Sequence, residues 1–103
     1  MNGMNSNELK SRMIITAEVC YDSRLQPGAK LLYGEIAKSS DKSGCCWESD
    51  KHFATLYGVT KTTVQRWLKT LEESGYVERN IKYKGDTKEI EDRCIKVVQR
   101  TTR

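Results

Sequence analysis

The chain has 103 residues and a net charge of +4, with 37% hydrophobic and 31% charged side chains. One core usually serves about 100–200 residues, so this length holds a single domain and leaves no room for a two-domain enzyme. No apolar run approaches the ~18 residues of a membrane span, and the polar start MNGMNSNELKSR lacks the apolar stretch of a signal peptide, so a cytoplasmic protein with no membrane partner is expected.

Residues 1–11 are rich in Asn and Ser and show no period, which predicts a flexible tail ahead of a domain over 12–99. RMIITAEV at 12–19 carries Met13, Ile14, Ile15 and Val19 and reads as a short strand closing the edge of a small sheet. Pro27 suits a helix start because its missing N–H would be unpaired there, and Ala29, Leu32, Tyr33 and Ile36 follow at helical spacing, predicting a helix over 27–39. SSDKSG ends it as a turn, and CCWES is a short extended piece. Ser49 is placed to cap a helix holding Phe53, Ala54, Leu56 and Tyr57, which Gly58 stops by adopting a left-handed conformation. Thr60 is a second N-cap. Over 61–74, Val64, Trp67, Leu68 and Leu71 fall at i, i+3, i+4 and i+7, with Gly75 as the terminator. The period then shortens to two: Val77, Arg79, Ile81 and Tyr83 alternate with Glu78, Asn80 and Lys82. KGDTK supplies a turn and 90–98 a return strand, which makes a β-hairpin. Residues 100–103 are expected to be a flexible end.

Two helices joined at Gly58–Val59, with Ala54 four residues before the glycine and Val64 six after it, have the spacing of a helix-turn-helix. Ala54 must be small where the second helix crosses, Gly58 reverses the backbone, and Val59 and Val64 bury under the crossing. With the hairpin added, the order is that of an α+β winged helix-turn-helix: three helices, a small antiparallel sheet and a C-terminal hairpin wing. In this plan the last helix enters a DNA major groove and the wing lies along the backbone or minor groove.

Charge follows the same division. Residues 1–57 carry seven basic and seven acidic side chains, whereas 58–103 carry eleven basic and seven acidic, so the whole excess lies in the second half. On a wheel of about 100° per residue, Leu68, Leu71 and Trp67 fall within about 60° of Val64, while Thr62 and Arg66 lie nearly opposite, flanked by Thr63, Gln65, Lys69 and Thr70. With Lys61, these make a surface of donors and mixed donor–acceptors that lacks a carboxylate until Glu72. Arg pairs with guanine, Gln with adenine, and Thr with phosphate or a thymine methyl. An ordinary solvated helix face would mix Glu with Lys at i, i+4, and that mixing is missing here. Lys82 and Lys84 on the wing are expected to contact the DNA backbone. Lys88, beside Asp86 and Glu89, serves equally well as an edge-strand lysine that blocks aggregation.

The remaining chemistry is sparse. Cys20, Cys45, Cys46 and Cys94 contain no C-x-x-C pair, so no metal site is expected. A disulfide is not expected in the cytoplasm either, which leaves Cys20 and Cys94 as small apolar fillers and one of Cys45 or Cys46 partly exposed. His52 is the only histidine, and no nucleophilic triad, paired-carboxylate cleft or glycine-rich phosphate loop is readable, so neither an enzyme nor a cofactor is expected. Glu89, Glu91 and Asp92 read as the solvated face of a strand. Trp47 and Trp67 read as core or near-core aromatics, Trp67 at the edge of its stripe, and Tyr33 and Tyr57 as packing residues.

The segment 17–85 resembles the N-terminal winged-helix domain of replication initiators and replisome organisers of Gram-positive plasmids and phages. The resemblance rests on the L-x-P-x-A-K-L-L-Y-G-E-I first helix, the G-x-C-W turn, the F-A-x-L-Y-G-V second helix and the T-V-Q-R-W-L-K-x-L-E-x-x-G-Y third helix. It implies double-stranded DNA binding, often at repeated origin sites, and by position it places contacts on Thr62, Thr63, Gln65, Arg66 and Lys69. Longer members carry a second domain that recruits helicase-loading machinery. A role in replication initiation or transcription control follows, with duplex DNA as the partner and replication proteins as further ones. A homodimer is the geometric expectation for a palindromic site. The rival reading is a winged helix that binds a host or replisome protein instead of DNA.

Overall fold

The structure is a computed structural model that describes residues 12–86 and 90–98; the tail at 1–11, the end at 100–103 and Lys88 and Glu89 lie outside the described residues. Its elements are α1 (Ala17–Cys20), α2 (Pro27–Lys38), α3 (Asp50–Tyr57), α4 (Lys61–Glu73), β1 (Val77–Tyr83) and β2 (Ile90–Val97). Helices followed by an antiparallel β1–β2 hairpin make an α+β winged helix.

Local signals set most of the element ends. Pro27 opens α2, and Ser39 follows its last residue. The Ser49 hydroxyl accepts from the His52 N–H at 3.1 Å and so satisfies an orphan donor at the start of α3. Gly58, at φ 67°, closes α3 in a left-handed conformation that a side chain would resist. The Thr60 hydroxyl accepts from the Thr63 N–H at 3.1 Å to open α4.

The strand expected at 12–19 does not form. Residues 12–16 form no regular element, and the Thr16 side chain caps the single turn of α1, whose buried residue is Val19. Packing supplies the reason: Met13 and Ile15 lie across Gly34 of α2, where a Cβ would come within 2.9 Å of Ile15 and 3.0 Å of the Met13 sulfur. The segment covers a helix rather than joining a sheet. The outer partner of β2 is instead Cys46, which exchanges two backbone hydrogen bonds with Ile95 at 2.9 and 3.0 Å.

α4 is the central helix. Val64, Leu68 and Leu71 are fully buried in one core with Leu32 and Ile36 of α2, Phe53 of α3 and Ile95 of β2. Each such side chain contributes about 1.5–3 kcal/mol by leaving water. Trp67 covers Gly28, where an added Cβ would sit 2.1 Å from its ring, and its indole N–H donates to the Gln26 side chain at 3.2 Å. The ring is half-buried and meets Tyr57 edge-on at 6.3 Å. The Tyr57 hydroxyl donates to the Leu31 carbonyl, and burial together with the charge of Glu35 pushes its pKa up to about 12.

At the base of the hairpin, Tyr76 is buried and its hydroxyl donates to Asp22 at 2.7 Å, tying the α1–α2 connection to the start of β1. Pairing runs from Val77 opposite Val97 to Lys82 opposite Asp92, with an irregularity between Lys82 and Tyr83. The side chains of 81–86 are all exposed.

Candidate nucleic-acid interface

Burial of Val64, Leu68 and Leu71 turns the opposite side of α4 to solvent. Thr62, Gln65, Arg66 and Lys69 are exposed there, as the wheel requires, and Lys61 is exposed at the start of the helix. Thr63 and Thr70 are less available. Both are half-buried; the Thr63 hydroxyl pairs with that of Thr60 at 3.0 Å, and the Thr70 hydroxyl donates back to the Arg66 carbonyl at 3.0 Å. Their first role is local, in a cap and in a helix back-bond. Lys82 and Lys84 are exposed at the distal end of β1 and the turn after it. The α4 N-terminus adds backbone N–H groups and the positive end of a helix dipole, which suit a phosphate.

Two carboxylates near this surface are paired. Glu72 receives the Arg79 guanidinium at 2.7 Å, which joins α4 to β1. The α4 face does have an acidic neighbour, contrary to expectation. Asp50, the first residue of α3, accepts from Gln65 Nε2 at 3.2 Å and from Arg93 Nη1 at 2.6 Å. Arg93 Nη2 also donates to the Glu48 carbonyl at 2.8 Å. The spacing along α4 does not show this, because Asp50 comes from another helix. A signal was nonetheless present: Arg93 alternates with Ile95 and Val97, so it shares the inward face of β2 and needs a partner for its charge.

The expectations of no disulfide, of Cys20 as a buried filler and of partial exposure at Cys45 or Cys46 fail. Cys45 and Cys94 form a disulfide, with their Cα atoms 5.1 Å apart, while Cys20 is exposed and Cys46 is buried. The bridge of Cys46 to Ile95 lays this segment along β2, where Cys45 and Cys94 lie diagonally across it, close enough to join. Burial pushes the Cys46 thiol up. Trp47 is not a core residue either, being 49% exposed. It is held by its indole N–H, which donates to Asp41 at 2.7 Å. Asp41 also accepts from Ser43 and from the Cys45 N–H, and these donors, the Ser43 hydroxyl foremost, hold its carboxyl well below the usual range. Trp47 lines a shallow hollow on the outer side of the hairpin with Asn80, Lys82, Asp92 and Cys94. Asp92 is exposed, as expected.

Among the described residues, His, Cys, Asp and Glu nowhere gather in threes as metal ligands would, and no helix is long and apolar enough to cross a membrane. No curated protein and no solved structure matches the chain. A family model described as a helix-turn-helix domain matches residues 23–77, from the turn before α2 to the first residue of β1. That match spans more than half of the sequence and takes in α2, α3 and α4, so the chain belongs to the helix-turn-helix domain family, a fold consistent with DNA as its partner.

Proposed function

We propose that the protein binds duplex DNA in a sequence-dependent way, with α4 in the major groove and the hairpin along the backbone or minor groove. One observation carries the reading. Arg66 and Lys69 are exposed on the helix whose opposite face is fully buried, so they are fixed in direction by the core beneath them. Lys61, Thr62 and Gln65 extend that face, Thr63 and Thr70 border it, and Lys82 and Lys84 add charge on the wing. Arg66 and Gln65 have the chemistry to read base edges, and the lysines that to neutralise phosphates.

The protein works in the cytoplasm in this reading, in a phage- or plasmid-type setting, at replication initiation or transcription control. The resemblance of 17–85 to replication initiator domains supports that setting, and replication proteins and a second copy of the chain are the partners it brings in.

Retardation of duplex DNA over a salt series tests the reading. Affinity should fall steeply with salt, and Arg66→Ala should weaken specific binding about tenfold or more while changing non-specific binding less. Unchanged retardation by the Arg66→Ala, Lys69→Ala double variant excludes α4 as the reading helix. Absence of retardation together with a co-purifying protein favours a protein-interaction module.

A further inference from the structure

Asp50 divides its two oxygens between the two parts of the interface. Oδ1 takes the Arg93 guanidinium of β2 and Oδ2 takes the Gln65 amide of α4. The Arg93 and Asp50 side chains are only 13% and 19% exposed, so the carboxylate cannot swing away without stranding a shielded positive charge. Its place as the first residue of α3 holds it further, because a negative charge is favoured at a helix N-terminus.

An ionised carboxylate only accepts hydrogen bonds. Gln65 must therefore turn its NH₂ group toward Asp50, and this settles which way round the amide sits. One N–H is used in that contact. With the N–H anti to Oε1 given to Asp50, the other lies on the same side as Oε1, and together they present an edge of one donor and one acceptor. Adenine is the complement, with N7 accepting and N6 donating; guanine offers two acceptors, N7 and O6, which an amide held this way cannot both satisfy. We propose that Asp50, braced by Arg93, is a positioning residue that fixes Gln65 to read adenine and reject guanine at one base pair. The inference rests on the duplex-binding reading above. The carboxylate also opposes the phosphate field, so it lowers general affinity while sharpening choice at that pair.

The test is selection from a random duplex pool at fixed salt by the wild-type chain, Gln65→Ala and Asp50→Asn. The Asn variant keeps the size of the side chain but donates as well as accepts, which frees the Gln65 amide to turn over. Wild-type protein should recover sites with one adenine-dominated position, which Gln65→Ala flattens. Asp50→Asn should lower the adenine-to-guanine ratio there about tenfold, leave the other positions intact, and retain more of the unselected pool. Asp50→Ser carries the same expectation and replaces the Asn variant should that one lose its circular dichroism. The proposal is overturned if both Asp50 variants keep the adenine preference, or if they erase selectivity at every position alike, which marks a merely structural role. Failure of the wild-type chain to enrich any sequence overturns the duplex-binding reading itself, and this inference falls with it.

Discussion

The α2–α4 scaffold and the β1–β2 hairpin both hold side chains toward one surface, but different forces fix them. The scaffold is set by apolar contact: Leu32, Ile36, Phe53, Val64, Leu68 and Leu71 have no measurable exposure. Among the described residues, the buried apolar side chains of the hairpin lie at its base, at Tyr76, Val77, Cys94 and Ile95. Beyond that it is held by discrete ties: Arg79 to Glu72, Arg93 to Asp50, and Cys94 to Cys45. Apolar packing is spread over many neighbours and fixes a helix as a rigid body. Single ties can be cut one at a time, which lets the hairpin respond to a change that leaves the scaffold intact.

The largest effect should come from the scaffold. Leu68→Ala removes a fully buried side chain and should cost about 2–5 kcal/mol in urea unfolding, a large part of the stability of a small domain. A cost below about 1 kcal/mol would break the comparison. Second is the Cys45→Ala, Cys94→Ala double variant. A disulfide typically contributes about 2–4 kcal/mol, and here the loss should be local, with faster amide exchange in β2 and little change in α4. Equal loss of protection in both would show that the hairpin and scaffold unfold as one unit.

Legibility in the sequence follows the same line. The ends of α2, α3 and α4 were readable because Pro27, Ser49, Gly58, Thr60 and Gly75 act on neighbours within a few residues. The alternation in β1 and the outward direction of Arg66 and Lys69 were readable for the same reason. What depended on contacts between distant segments was not. Ile14 and Ile15 resemble a strand, yet their segment lies on α2. Cys45 meets Cys94 through a register set at Ile95. Asp50 reaches Gln65 across the helix-turn-helix, fifteen residues on.

Two further substitutions sharpen the comparison. Gly28→Ala forces a methyl into the Trp67 ring and should cost about 1–3 kcal/mol in the same unfolding assay, with part of the loss restored by a second change, Trp67→Leu. Asp41→Asn should give the smallest effect. Its carboxyl is held below the unfolded value near 3.9, so the stability it contributes is present above that pH and is lost as pH falls toward its native value. The difference in thermal midpoint between wild type and variant should be constant above about pH 5 and narrow progressively below it. A difference undiminished between about pH 5 and pH 2 would place the contribution of Asp41 in shape rather than charge.

The positions of the two tryptophans have a practical consequence. Trp67 covers Gly28 inside the scaffold, whereas Trp47 stands on the outer side of the hairpin, held by Asp41. Each region therefore carries its own intrinsic fluorophore. Single-tryptophan variants would emit separately from the two, so titration with duplex would report which region first senses the ligand, without any added label.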